Sequence, residues 1–139
     1  MIKRLSHIGI VVNDLEAATK LWTEVFGLVK YDEMEVAVEG IKNVMLSAGG
    51  TANEMSIELI EPMDKTDMNN ALARRLAKQG EGFYHLAVDV GDIDATGAAL
   101  EDAGLQIIQR PAISEDYTPR WLTHPKSSSG VMVEGMGDL

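Results

Sequence analysis

HLAVDVGDIDATGAALEDAGL, residues 85–105, repeats the pattern of residues 7–28, HIGIVVNDLEAATKLWTEVFGL, and this repeat predicts the architecture of the whole chain. His7 and Asp14 of the first stretch correspond to His85 and Asp92 of the second at a constant spacing. A repeat at a fixed spacing is typical of a duplicated structural unit. The sequence therefore predicts two copies of one module.

Each copy has the pattern of a strand, a helix and three further strands. An Ile- and Val-rich run opens the copy, an Asp follows as N-cap, apolar residues recur at helical spacing, and a Gly closes the helix. Short apolar runs separated by turn residues then predict three sequential antiparallel strands in each copy. In the second copy these strands are predicted over 105–109, 120–123 and 131–135. We expect an α+β fold in a single domain, residues 1–139. Module one covers residues 1–62, a linker helix lies within 63–81 (predicted over 64–79), and module two covers 82–139.

Composition excludes several classes of protein. The chain has 139 residues, and its 12 basic and 22 acidic residues give a net charge of −10, which argues against binding nucleic acid or an anionic membrane. There is no cysteine, so disulfides and thiolate ligands are excluded. No apolar run reaches the length of a membrane span, and the N-terminus lacks the pattern of a signal peptide. We expect a cytoplasmic protein.

A His and a Glu recur at related places in the two copies. A His opens the first strand of each copy, and a Glu interrupts an apolar strand near its end, in MSIELI and in VMVEGM. A single such His is more often structural and a single such Glu more often exposed, but their coincidence in both copies favours a site. A carboxylate in an apolar strand is costly unless it is paired or bound to a metal. A pseudo-twofold would bring these four residues around one divalent metal (cobalt, zinc, nickel, manganese or iron): His7, Glu58, His85 and Glu134.

Four segments resemble the vicinal oxygen chelate superfamily and, within it, the methylmalonyl-CoA epimerases. They are HIGIVVNDLEAATKLWTEVFGL, IELIEP, GEGFYHLAVDVGDIDA and HPKSSSGVMVE. The resemblance implies two βαβββ modules that form an open, curled barrel around a metal, held by the same four residues that the repeat indicates. It also implies an isomerase that removes the proton next to the thioester of an acyl-CoA, most simply methylmalonyl-CoA.

The resemblance assigns the two proton-transfer positions to Glu134 and Asn43. Glu134 would be both metal ligand and catalytic acid or base. The epimerases carry glutamate at the position of Asn43, and asparagine cannot transfer a proton, so another group or a water takes this role, or the reaction differs. Members of this branch often have glutamine where this chain has Glu58.

The loop before HPK also departs from these epimerases, which have a glycine-rich stretch there. Here the loop contains Tyr117 and Arg120, which either contact the acyl group, supply a proton, or lie in an exposed polar loop. Lys126 either meets a CoA phosphate or a substrate carboxylate, or is a solvated turn residue. His124 precedes a proline and is interpreted as a turn residue.

Three alternative functions stay open at this point. The first is a glyoxalase-type isomerase or lyase with the same metal. The second is a metal-free, small-molecule binding protein of the drug-resistance type, which the presence of all four ligands disfavours. A ring-cleaving dioxygenase ranks last, because a fourth ligand leaves fewer open positions on the metal. We expect a homodimer, since the two sheet edges need protection.

Overall fold

The computed structural model describes residues 1–137, which contain eight β-strands and three α-helices arranged as two βαβββ modules. The strands are β1 (Arg4–Val11), β2 (Val29–Val36), β3 (Ile41–Ser47), β4 (Ser56–Pro62), β5 (Gly82–Gly91), β6 (Ile107–Arg110), β7 (Arg120–Thr123) and β8 (Val133–Gly137). The helices are α1 (Leu15–Lys20), which continues as a π-helical segment over Leu21–Val25, α2 (Ala71–Gln79) and α3 (Ile93–Asp102). The strands hydrogen-bond in the order β2-β3-β4-β1 in the first module and β5-β8-β7-β6 in the second, so β2 and β6 are edge strands. The predicted α+β class is confirmed.

The helix of each module begins and ends where the repeat predicts. The Asp14 carboxylate accepts a hydrogen bond from the Ala17 amide at 3.0 Å, and Asp92 caps α3 in the same way through Ala95 at 2.9 Å. Each cap satisfies an amide that the first turn of a helix leaves without a partner. The strands that follow each helix pair antiparallel with their sequence neighbours, β2 with β3 and β3 with β4, and β6 with β7 and β7 with β8.

Three predicted elements have different bounds in the structure. The helix expected to begin at Asp64 begins at Ala71, because Asn70 is the N-cap and accepts from the Ala73 amide at 3.0 Å. Asp64 instead accepts from the Thr66 amide in a turn, a local bond that competes with helix formation. In the second module, β6 begins at residue 107 rather than 105, and β8 covers 133–137 rather than 131–135. No helix in residues 1–137 is long and apolar enough to cross a membrane.

The chain forms two compact units that do not coincide with the sequence modules. The first unit is Ile8–Tyr84, and the second unit combines Met1–His7 with His85–Leu139. In the first unit, one apolar cluster lies between the sheet and α1 and contains Val12, Val44, Leu46 and Leu59. Another cluster lies under α2 and contains Val11, Ile60, Leu72 and Leu76. In the second unit the cluster under α3 is built on Val88, Val90 and Trp121.

Glu61 joins several elements of the first unit. This carboxylate is buried and forms ion pairs with Lys42 and Lys65, each at 3.0 Å, and it also accepts from the amide of Leu15 in the first turn of α1 at 3.4 Å. Burial raises the pKa of Glu61, but the hydrogen bonds and charges of Lys65 and Lys42 outweigh burial and lower the pKa below its ordinary value. Glu61 therefore has a structural role.

Trp121 determines the packing beneath α3. Its ring is 2% exposed, and its indole N–H donates to the hydroxyl of Thr96 on α3 at 3.1 Å. The ring lies directly over the backbone of Gly135 on β8, with which Trp121 is in register. Close approach of an aromatic ring to backbone requires a residue without Cβ, so Gly135 is necessary here for space.

Candidate metal centre

Three of the four predicted ligands meet in the second unit. His7, His85 and Glu134 are all buried, and one ligand atom from each lies within 4.8 Å of the other two. The two Nε2 atoms are 3.2 Å apart, and Glu134 Oε1 lies 3.7 Å from each of them. The imidazole rings meet edge to face, at an interplanar angle of 73°.

Strand register explains how His85 and Glu134 reach one point. β5 and β8 pair parallel, with Ala87 opposite Glu134, and His85 lies two residues before Ala87 on the same face. The intervening Leu86 and the neighbouring Val133 point to the other face, where they pack against the cluster under α3. The alternation of side chains thus places the ligands on the face that α3 does not cover.

The triad fits a metal ion of borderline hardness. Two imidazole nitrogens and one carboxylate oxygen are donors that zinc, cobalt, nickel and iron accept in proteins. The point that lies in the plane of the three atoms and is equidistant from them is about 2.1 Å from each. This distance agrees with ordinary metal–nitrogen and metal–oxygen bond lengths. The donor set and its spacing therefore suit a divalent ion.

Ser6 is a site residue that sequence reasoning missed. Its hydroxyl lies 3.2 Å from Nδ1 of His7, and both side chains are buried. A hydroxyl that accepts the Nδ1 proton fixes the tautomer in which Nε2 presents its lone pair, which is the usual role of such a partner of a ligating histidine. The signal in the sequence was no more than a polar residue directly before the histidine.

Arg120 contacts Glu134, which the sequence did not predict, and its contact with the acyl group stays a prediction. Its Nη1 lies 3.1 Å from Glu134 Oε2, and the arginine side chain is 22% exposed. The two oxygens of the Glu134 carboxylate therefore have different partners. Oε2 faces the guanidinium of Arg120, and Oε1 faces the imidazoles of His7 and His85.

Asn43 and Glu58 form a separate pair in the first unit. Asn43 Nδ2 donates to Glu58 Oε2 at 2.7 Å, and Glu58 is buried. Asn43 Oδ1 is buried and has no hydrogen-bond partner among the described residues. Both side chains lie on the sheet face opposite α1, because their strand neighbours Val44 and Leu59 pack beneath that helix. The place of Glu58 as fourth ligand stays a prediction.

The remaining predicted contacts lie in exposed or irregular segments. Tyr117 is 44% exposed in the loop before β7, and Lys126 is exposed in a short 3-10 turn over Pro125–Ser127. His124 caps this turn, with Nδ1 accepting from the Lys126 amide at 3.1 Å, in agreement with its interpretation as a turn residue.

The first unit also has a groove of about 490 Å³ on its helix-bearing side. Its walls come mainly from the end of β1 and from α1, including Ile10, Val12 and Trp22. Asn43 and Glu58 lie on the opposite sheet face, so the groove is not continuous with that pair.

The structure defines a duplicated βαβββ protein whose second unit brings together two histidines and one carboxylate, a donor set that suits a metal ion. The chain belongs to the Glyoxalase/Bleomycin resistance protein/Dioxygenase superfamily, whose family model matches residues 6–118. This confirms the superfamily that the motifs indicated.

Similar proteins are epimerases of acyl-CoA substrates. The chain is 29% identical over 137 residues to ethylmalonyl-CoA/methylmalonyl-CoA epimerase of Cereibacter sphaeroides, covering 96% of this chain and 97% of the relative. It is 29% identical over 135 residues to mitochondrial methylmalonyl-CoA epimerase of Dictyostelium discoideum, covering 96% and 77%. Methylmalonyl-CoA epimerase of Mycobacterium tuberculosis superposes with a TM-score of 0.84 at 28% identity, over 99% of this chain and 89% of that one. A variant of the Streptomyces coelicolor enzyme in complex with 2-nitronate-propionyl-CoA gives 0.85 at 26% identity, over 99% of both chains.

Proposed function

We propose that this protein is a metal-dependent epimerase or racemase of an acyl-CoA, with methylmalonyl-CoA or a close relative as substrate. The observation that carries the proposal is the buried triad of His7, His85 and Glu134, with ligand atoms at metal-binding spacing. The acyl-CoA epimerases that match over nearly the whole chain support the substrate class.

The triad would hold a divalent metal, and Glu58 is proposed as the fourth ligand on the basis of the sequence repeat. When bound, such an ion stabilises the negative charge that develops on the substrate oxygens as the proton next to the thioester leaves. The imidazoles contribute neutral donors, and Ser6 holds His7 in the required tautomer.

Epimerisation needs one group that removes the proton and another that returns it on the opposite face. We assign one of these roles to Glu134. The Asn43 amide is neither an acid nor a base at neutral pH, but its N–H donates to Glu58, which is an ionisable group. We therefore assign the second role to Glu58, with Asn43 holding its carboxylate. The unpaired Asn43 Oδ1 supports a functional site, since a buried acceptor without a partner costs stability.

Substrate contacts outside the metal centre are proposed from position and charge. Lys126 is an exposed cation in a chain of net charge −10, and it is suited to a CoA phosphate. Tyr117 lies in the loop before β7 and is proposed to contact the acyl group. A homodimer and a cytoplasmic location are also proposed from the sequence, and light scattering of the purified protein tests the first.

Proton exchange in heavy water tests the proposal. The cobalt-loaded enzyme is incubated with each purified epimer of methylmalonyl-CoA, and the C2 proton signal is followed by NMR. We expect metal-dependent exchange of both epimers. In variants whose cobalt content is confirmed to equal that of the wild type, Glu134→Gln and Glu58→Gln should each lower the exchange of one epimer about 10²–10⁴-fold, as expected for loss of a general acid or base. Glu35→Gln, on the exposed surface of β2, is the matched control and should leave both rates unchanged.

The result with the wild-type protein decides the substrate class. Absence of exchange with metal confirmed as bound refutes a methylmalonyl-CoA epimerase and favours another acyl-CoA or a glyoxalase-type reaction. If both rates survive in Glu58→Gln, the second proton-transfer group is elsewhere.

A further inference from the structure

Arg120 reaches Glu134 because of the register between β7 and β8. Leu122 is directly opposite Glu134, and Arg120 lies two residues earlier on the same face of β7. A long side chain at this diagonal position can contact the carboxylate. Trp121, between the two, points to the opposite face, into the cluster under α3. The backbone therefore directs the guanidinium to the carboxylate.

The first module has a donor at the equivalent position. Met45 is directly opposite Glu58 in the pairing of β3 with β4, and Asn43 lies two residues earlier, as Arg120 does relative to Leu122. Asn43 Nδ2 and Arg120 Nη1 each donate to Oε2 of the glutamate in their own module. An N–H donor for the glutamate is therefore a feature of the module itself, and the second copy uses a cation for it.

A guanidinium is well suited to holding a carboxylate in one orientation. Its planar array of N–H donors matches the oxygens of a carboxylate, and hydrogen bonds between charged groups are stronger than those between neutral ones. Glu134 is 7% exposed, so solvent screens this contact only weakly. With Oε2 held by Arg120, Oε1 is directed to Nε2 of His7 and His85, at 3.7 Å from each.

We propose that Arg120 is a positioning residue for Glu134, and that it contributes to metal affinity rather than to substrate binding. The inference rests on the metal centre of the proposed function. It predicts that loss of Arg120 weakens metal binding, which is the opposite of what charge repulsion alone predicts. A guanidinium near a cation repels it, so loss of this charge alone would tighten metal binding, whereas loss of orientation weakens it.

Cobalt binding in the absence of substrate tests the inference. The affinity is measured by calorimetric titration of chelator-stripped protein, and the visible absorption of bound cobalt reports its ligand geometry. Arg120→Gln should weaken binding about 10–100-fold, the usual effect of removing a partner of a metal ligand, and should alter the spectrum. Arg120→Lys keeps the charge and can still donate a hydrogen bond, but lacks the planar array of donors, and should recover part of the affinity.

Arg110→Gln is the matched control, because Arg110 is exposed and directly opposite Arg120 in the pairing of β6 with β7. It should bind cobalt as the wild type does. Equal or tighter binding by Arg120→Gln, or an equal loss in Arg110→Gln, would overturn the inference. So would an unchanged cobalt affinity with a raised KM for the acyl-CoA, which indicates a substrate contact.

The folding of each variant and cobalt binding by the wild type are the controls for this test. Thermal unfolding of each variant shows whether it is folded, and if Arg120→Gln does not fold, Arg120→Lys must still show weaker binding and an altered spectrum. Wild-type protein that binds no cobalt refutes the metal centre together with this inference. Wild-type protein that binds cobalt but exchanges no methylmalonyl-CoA proton refutes the substrate assignment alone.

Discussion

Replacement of Gly135 by Ala tests the packing on the sheet face opposite the candidate metal centre. A Cβ at this position would lie 2.2, 2.3 and 2.6 Å from three ring atoms of Trp121. Carbon atoms in contact are normally about 3.5–4.0 Å apart, so the ring or the strand must move by more than an ångström. The ring is held by the cluster under α3 and by its hydrogen bond to Thr96, which leaves little room for the movement.

The loss of stability in Gly135→Ala follows from the two restraints on the Trp121 ring, its apolar packing and its hydrogen bond to Thr96. Overpacking of a closed core costs about 1–3 kcal/mol, and loss of the bond between Trp121 and Thr96 adds about 1 kcal/mol. We expect Gly135→Ala to lower the free energy of unfolding by about 3 kcal/mol. With about 2.1 cal/mol/K of unfolding entropy per residue, this corresponds to a decrease in Tm of about 10 °C.

Urea and thermal unfolding of the metal-free protein measure the effect. Gly104→Ala is the matched control, because Gly104 has a φ of 93° but a methyl group added there would meet nothing within 4 Å. That substitution should cost only the backbone strain, about 1 kcal/mol. The double variant Trp121→Leu/Gly135→Ala removes the clash, and its loss should be smaller than the sum of the single losses by at least about 1 kcal/mol.

Either of two results would refute this reasoning. The first is a Gly135→Ala variant no less stable than Gly104→Ala, since the steric conflict would then be absent. The second is strict additivity in the double variant, which would mean that the cost of the new methyl group does not arise at Trp121.

Two further predictions concern the first unit. Because the pKa of Glu61 is lowered in the folded protein, its ion pairs stabilise the fold at pH values above the ordinary value of the carboxyl, and this stability is lost as the pH falls through the lowered pKa. Between about pH 5 and pH 3, the free energy of unfolding in urea should therefore decrease more steeply for the wild type than for Glu61→Gln. Equal pH dependence in the two proteins would contradict the stabilising role of the Glu61 ion pairs. Asn70→Ala removes the N-cap of α2 and also the hydrogen bond from Asn70 Nδ2 to the Glu39 carbonyl, and should cost about 2 kcal/mol by the same assay. Asn69→Ala, one residue earlier, should cost almost nothing, and equal losses would show that the cap is not Asn70.

Short-range signals explain which parts of the fold could be predicted from the sequence. The repeated Asp and Gly mark the ends of α1 and α3 because caps act within one helical turn. The prediction for α2 began the helix at Asp64, but this residue closes a turn and Asn70 caps the helix. Local preference alone does not distinguish Asp64 from Asn70 as the start of the helix, since both residue types are good N-caps.

The order of residues was enough to indicate the candidate ligands, but not the groups that hold them. Duplication placed a His and a Glu at matching positions in both copies, and this pattern is visible without any coordinates. The partners of those residues depend on strand register, which brings together positions far apart in the chain. Arg120 reaches Glu134, and Asn43 reaches Glu58, because each lies diagonally across a strand pair. A shift in register by one residue would direct every one of these side chains to the other face of the sheet, so the contacts are a property of the fold.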